Sequence, residues 1–156
     1  MISNPIIREM VDADIDAVLE IEQECFLAPW SKKDLLYELH DNPVSATYVL
    51  EIGADGRKEL IGFLDFMVTF TSSAISQIAI KKKYRRMDFG TMLISEMLVH
   101  LRSLGDGQVE TITLEVRSHN AGALAFYVRN RFEPILIKPH YYANGDDAIY
   151  MVRRLI

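Results

Sequence analysis

The sequence predicts an α/β fold: a mixed central sheet of about seven strands with helices on both faces. Three observations carry this. Apolar runs and helical patterns alternate in the order β-α-α-β-β-β-α-β-α-β-β. The middle of the chain strings hairpin-like strands together, with Asp55-Gly56 as a turn signal between two of them. Strand-helix-strand crossovers then follow, and these demand parallel pairing somewhere in the sheet. At 156 residues the chain reads most simply as one domain, 1–156, long enough to bury a core.

Taken in order, "NPIIREM" is a short strand and Asp12 a candidate cap for the helix after it. That helix lines up Ile15, Val18, Leu19, Glu22, Cys25 and Phe26 along one side. "APWSKKDLLYEL" opens a second helix, with Ser31 and Asp34 spaced as a capping box. "SATYVLEI", "ELIGFLDFMVTF" and "SAISQIAI" are strands. Phe89 to Leu104 is a helix with Phe89, Leu93, Met97, Leu101 and Leu104 on its buried stripe, stopped by Gly105. In "ETITLEVR", Ile112, Leu114 and Val116 face one way and Thr111, Thr113, Glu115 and Arg117 the other. Asn120 caps a helix through Asn130, and "FEPILIKP" and "DAIYMVRRL" close the sheet.

Composition narrows the function classes. A hydrophobic share of 49% with 25% charged residues is that of a water-soluble globular chain, and no apolar run is long enough to span a bilayer. The first residues, "MISNPIIREM", lack the basic and apolar regions of a signal peptide, so a cytoplasmic location is the expectation. The net charge of −5 argues against general nucleic-acid affinity. Cys25 is the one cysteine, excludes an internal disulfide and reads as core. His40, His100, His119 and His140 show no metal-ligand spacing, and the seven methionines read as core filler.

Two constellations could carry chemistry. "KKKYRRMDFGT" packs five cations into Lys81–Arg86 between a strand and a helix. A helix starting at Asp88 or Phe89 would aim main-chain N–H groups back across Arg85 to Gly90, where an anion is stabilised. Gly90, having no Cβ, lets a ligand come close. The second constellation is Glu115, Asn120 and Tyr127. Glu115 lies on the strand face opposite the apolar residues, and Asn120 and Tyr127, seven residues apart, share one helix face. A carboxylate, an amide and a phenol could line one cleft. They could equally be an exposed glutamate, a cap and an aromatic at the core edge.

"QIAIKKKYRRMDFGTMLI", "TLEVRSHNAGALAFYVRNRFEP" and "YYANGDDAIYM", in this order and spacing, resemble the GNAT superfamily of acetyl-CoA-dependent N-acetyltransferases. "IEQECFLAPWS" narrows the resemblance to the RimI-like ribosomal-protein-alanine N-acetyltransferases. The resemblance covers nearly the whole chain and implies a mostly antiparallel sheet. It implies that Ile78, Ala79 and Ile80 offer main-chain groups to the pantetheine arm of acetyl-CoA, one of them polarising the thioester carbonyl. It assigns the pyrophosphate to the loop of Arg85, Arg86, Met87, Asp88, Phe89, Gly90 and Thr91, and an amide contact to Asn120. Glu115 is then the general base, through a water, and Tyr127 the acid that protonates the thiolate of coenzyme A. Phe26, Pro29 and Trp30, with Tyr141 and Tyr142, would flank a protein N-terminus, that of a ribosomal protein in this branch. A small-molecule amine as acceptor, or a non-catalytic acyl-CoA-binding module, are the competing readings.

The family's loop pattern carries glycines where this chain has Arg86 and Asp88, and a further glycine where it has Arg131. An Asp88 carboxylate about 6 Å from one phosphate charge would cost roughly 1–3 kcal/mol at an effective dielectric of 20–40. Neighbouring cations offset that. Binding is therefore expected to be weakened and retained.

Overall fold

The computed structural model describes residues 4–156, so the first three residues of the stretch read for a signal peptide lie outside the described residues. The elements are β1 (Ile6–Glu9), α1 (Ile15–Cys25), α2 (Lys32–Leu36), β2 (Ser45–Ala54), β3 (Arg57–Thr69), β4 (Ser72–Ile80), α3 (Phe89–Ser103), β5 (Thr111–Arg117), α4 (Ala121–Arg129), β6 (Glu133–Lys138) and β7 (Ala148–Arg154). The seven strands hydrogen-bond in the order β1-β2-β3-β4-β5-β7-β6. β4 pairs with β5 in parallel, whereas β1 with β2, β2 with β3, β5 with β7 and β6 with β7 run antiparallel. The expected element order and mixed, mostly antiparallel sheet are both present. Among the described residues no helix is long and apolar enough to cross a membrane.

The chain packs as two compact units. One contains the residues up to Met67 together with Ser76–His100, the other Val68–Ile75 and Leu101–Ile156. In the first, Ile15, Val18 and Ile21 of α1 and Leu35 of α2 pack with Val49, Phe63 and Ala79 of the strands. These apolar positions recur at three- and four-residue steps along α1, which is why that sequence forms a helix with one buried face. Gly62 is required on β3: a Cβ there would lie 2.8 Å from the Ala79 carbonyl oxygen and 2.5 Å from Ile80 Cδ1. In the second unit, alternation in β5 buries Ile112, Leu114 and Val116, joined in the core by Phe132, Ala148 and Met151.

Local signals fared unequally. Ser31 and Asp34 form the expected capping box, with Ser31 Oγ accepting from Asp34 N–H at 3.2 Å and Asp34 Oδ2 from Ser31 N–H at 2.9 Å. α2 then widens into a π-helical turn over Tyr37–Asp41. Asp55 and Gly56 take φ of 53° and 77°, the left-handed pair that a tight hairpin needs. Asp12, expected to cap α1, instead begins a short 3-10 turn. Asp14 takes over the local bonding: its carboxylate accepts from Val11 N–H and from both Nη atoms of Arg8, and the Arg8 guanidinium holds its pKa down. Leu104, expected on the buried stripe of α3, lies beyond the helix and is exposed, because the backbone has already turned toward Gly105. Met87 is likewise exposed rather than core.

Candidate active site

In the first unit, β4 ends at Ile80 and the chain passes through a 3-10 turn at Lys82–Tyr84 before α3 begins at Phe89. The Asp88 carbonyl accepts from Met92 N–H at 3.1 Å, so Asp88 stands at the N-cap and its side chain is exposed. Arg86 and Asp88 have φ of 64° and 65°. These are the two loop positions where the family pattern has glycine. Arg131, the third such position, has φ of 69°. All three positions thus take the left-handed backbone that glycine adopts freely, and L side chains occupy it at a cost of order 1 kcal/mol each, least for Asp.

The basic strip is partly committed elsewhere. Lys81 Nζ pairs with Glu59 Oε2 at 3.2 Å, and Tyr84 O–H donates to Glu59 Oε1 at 2.8 Å. Arg85 folds back: its Nε donates to the Ile80 carbonyl at 3.0 Å and its Nη2 lies 3.4 Å from Cys25 Sγ. The Ile80 carbonyl, at the end of the strand expected to face the pantetheine arm, thus accepts from Arg85 and is approached by the Cys25 thiol at 3.6 Å. Burial raises the Cys25 thiol pKa, so it is no nucleophile at neutral pH. Lys82, Lys83 and Arg86 remain as exposed residues of the strip. Ala79 and Phe89 are buried and Ile78, Gly90 and Thr91 half-exposed or exposed, so Ala79 and Phe89 have only main-chain groups to present to a ligand.

The loop between α1 and α2 belongs to the same unit. Phe26 packs its ring 6.4 Å from that of Phe63, and both Phe26 and Trp30 rest against the α1 core. Each is half-buried, which fits a packing role and leaves an edge for a ligand. Pro29 is also half-buried, and Leu27 between them is exposed.

The second unit collects Glu115, Asn120, Tyr127, Tyr141 and Tyr142. Glu115 sits opposite Tyr150 of β7 in the β5–β7 register, two residues from the end of β5. Its Oε1 accepts from Lys138 Nζ at 2.7 Å, and that bond raises the lysine pKa. The ammonium also lies 4.7 Å from the Tyr150 ring centre and 5.4 Å from that of Tyr141. Lys138 escaped the sequence reading. Nothing in "FEPILIKP" marks it, because its partner is reached only through the order β5-β7-β6.

Asn120 is the N-cap of α4, its Oδ1 accepting from Ala123 N–H at 3.1 Å, which leaves the side-chain amide N–H groups for another acceptor. Tyr127 packs at ring-centre distances of 5.3 and 5.7 Å from Phe126 and Phe132. Burial of its hydroxyl, with Tyr142 close by, pushes its pKa far above the ordinary tyrosine value. It therefore carries a proton at any neutral pH. Tyr141 and Tyr142 meet edge to face at 5.0 Å, and Arg117 stacks 3.9 Å from the Tyr142 ring centre. Burial raises Tyr142, Arg117 lowers it, and Tyr141 and Glu115 raise it again. Tyr142 is thus an electrostatic neighbour of both Glu115 and Tyr127.

Arg117 also fixes the connection bearing these tyrosines. Its Nη1 donates to Asn144 Oδ1 at 3.0 Å and to Asp146 Oδ2 at 2.9 Å, while Tyr142 N–H donates to the Asp146 carbonyl at 3.1 Å. His119, half a turn away, has Nε2 3.6 Å from Asp146 Oδ2.

Comparison with known proteins fits this arrangement. The model of the acetyltransferase (GNAT) family matches residues 15–132. A [ribosomal protein bS18]-alanine N-acetyltransferase of Salmonella typhimurium is 31% identical, with 88% of this chain and 89% of that protein covered. The solved structure of the ribosomal-protein-S18-alanine N-acetyltransferase from Escherichia coli superposes with a TM-score of 0.80 at 26% identity, covering 97% and 94% of the two chains. Arabidopsis thaliana NAA60 in complex with acetyl-CoA shares the fold, with a TM-score of 0.86 at 16% identity over 97% and 99%. The chain therefore belongs to the GNAT family of N-acetyltransferases, in its RimI-like branch.

Proposed function

We propose that this chain, acting as one 1–156 domain, transfers an acetyl group directly from acetyl-CoA to the N-terminal α-amine of a protein. The protein is a ribosomal one, and the reaction is cytoplasmic. The observation that carries this is the shared neighbourhood of Glu115 and Tyr127 around Tyr142. A carboxylate and a proton-bearing phenol are both electrostatic neighbours of the same tyrosine. The names of the relatives supply the acceptor class, and the acidic chain, at −5, favours a basic peptide such as a ribosomal protein carries.

The residues divide the work as follows. The turned backbone from Arg86 to Thr91 presents N–H groups to the pyrophosphate, with Lys82, Lys83 and Arg86 offsetting the Asp88 carboxylate. Main-chain groups of Ile78 and Ala79 hold the pantetheine arm, and the Asn120 amide adds a donor. A peptide α-amine has a pKa near 7.7–8.0, so a modest base suffices to free its lone pair. Glu115 takes that proton through a water, Lys138 steadying one carboxylate oxygen while the other stays available. The amine nitrogen bonds to the acetyl carbon, the carbon–sulfur bond breaks, and Tyr127 passes its proton to the departing thiolate. Phe26, Trp30, Tyr141 and Tyr142 flank the acceptor.

Labelled acetyl-CoA with a panel of N-terminal peptides and small amines tests the proposal. Peptide turnover is expected, with Tyr127→Phe lowering kcat about 10²–10⁴-fold at unchanged acetyl-CoA affinity. Turnover of small amines alone would replace the protein acceptor. Acetyl-CoA binding without turnover, indifferent to Tyr127→Phe, would make the chain a binding module.

A further inference from the structure

Helix α1 buries one glutamate completely. Glu22 has no exposed surface, and its Oε1 accepts two hydrogen bonds, from Trp30 N–H at 2.9 Å and from Gln77 Nε2 at 3.1 Å. Trp30 closes the α1–α2 loop, and Gln77 lies on β4, two residues before Ala79. One carboxylate oxygen therefore ties together the loop read above as the acceptor side and the strand read above as the acyl-donor side.

A leucine at position 22 would serve the interior better. Ile15, Val18 and Ile21 already form an apolar stripe, and a buried carboxyl group is costly unless its hydrogen bonds are excellent. The surroundings raise that cost. Glu22 Oε2, Gln77 Oε1 and both oxygens of Asp65 are buried without a protein hydrogen-bond partner among the described residues. What leucine cannot do is accept a main-chain N–H from a loop. Within Phe26–Trp30, Phe26 N–H closes α1 on the Glu22 carbonyl at 3.1 Å, and Leu27 and Ala28 are exposed. Glu22 thus anchors the loop at both ends, by its carbonyl at the start and by its carboxylate at Trp30.

We infer that Glu22 is a positioning residue for the acceptor: by holding Trp30 N–H and the Gln77 amide on one oxygen, it fixes the height of the Phe26–Trp30 loop along β4. The inference rests on the acetyltransferase reading for what the loop receives, and on the two hydrogen bonds for how it is held. Loss of the anchor leaves the main chain of β4 in place, so the acceptor suffers and the acyl donor does not.

Trp30 is the one tryptophan of the chain, so intrinsic emission reports this loop alone. Turnover of the wild type on the peptide panel comes first, and failure there counts against the acetyltransferase reading, not against the anchor. Glu22→Leu is expected to shift Trp30 emission to longer wavelength and raise its acrylamide quenching. It should raise the acceptor-peptide KM roughly tenfold while leaving the acetyl-CoA Kd within about twofold. Glu22→Gln, which keeps an acceptor oxygen for both donors, is expected to return emission and KM to within about threefold of wild type. Unchanged emission and KM in Glu22→Leu would overturn the inference, as would an equal loss of acetyl-CoA affinity. Where the leucine variant does not fold, amide hydrogen exchange of the wild type decides. Trp30 N–H is expected to exchange at least about 100-fold more slowly than Leu27 and Ala28. Exchange at their rate would show that no anchor exists.

Discussion

Carboxylates occur in two settings in this molecule, and the contrast shows how it keeps its candidate site in order. In the first unit, Glu22 and Asp65 are buried, and among the described residues neither has an ion-pair partner. Around the β6–β7 connection, Glu115 is met by Lys138 and Asp146 by Arg117. In the first region burial decides: desolvation, reinforced by the neighbouring Glu38, pushes Asp65 up to about 9, and Glu22 is raised by burial although Trp30 and Gln77 pull it back. In the second, ionised pairs at the surface hold a loop in place, and Asp146 is lowered by Asn144 and Arg117. A neutral acid tolerates an apolar interior, whereas a charged one needs a partner. Fixing a loop by an interior hydrogen bond and fixing one by surface ion pairs therefore respond to different perturbations.

The largest expected effect breaks the first region by pH. An unfolded Asp titrates near 3.9 and folded Asp65 near 9, so between these values the unfolded chain holds fewer protons at this site and rising pH favours unfolding. Asp65→Asn removes the linkage. From pH 5 to pH 8 the variant should gain roughly 4 kcal/mol relative to wild type, read from denaturant midpoints at each pH. A constant difference across that range would show Asp65 to be ionised in the fold.

Next in size is the second region. Arg117→Met removes both side-chain bonds to the connection and the cation over Tyr142. Acceptor KM is expected to rise about tenfold, and the loss should be partly mimicked in wild type by high salt, because the Arg117–Asp146 pair is only partly buried. Glu22→Leu, in contrast, should be indifferent to salt. If both variants respond alike, the distinction between the regions fails.

The smallest effects concern the left-handed residues. Asp88→Gly relieves backbone strain and removes a carboxylate from the loop proposed to hold the pyrophosphate, so acetyl-CoA should bind about 3–10-fold more tightly by calorimetry. Arg131→Gly relieves the same strain outside the loop, and is expected to add about 0.5–1 kcal/mol of stability with acetyl-CoA affinity unchanged. Equal affinity gains from both would mean that strain, and not charge, limits binding.

The sequence made some of these features legible and hid others for identifiable reasons. Glu22 could be placed on the apolar side of α1 because helical periodicity is local, and its burial follows. The left-handed turns at Arg86, Asp88 and Arg131 were foreshadowed by a pattern with glycine at those positions. Glu115, Asn120 and Tyr127 were found by spacing and resemblance together, and all three lie in the second unit. Asp12 and Asp14 compete for the same N-terminal donors, and only the position of Arg8 on β1 decides for Asp14. Lys138, and the grip of Arg117 on Asn144 and Asp146, depend on strand order, which periodicity does not encode. The retraction of Arg85 onto Ile80 was hidden similarly, since a cation-rich loop reads as a clamp until its own strand end competes for the guanidinium.

Gly62 has a consequence for how such an enzyme can diversify. With no space for even a methyl group between β3 and the carbonyl of Ala79, any side chain at position 62 would force the end of β4 out of place. Position 62 is therefore closed to change, whereas the loops, where Leu27 and Tyr141 face the solvent, can vary at little steric cost.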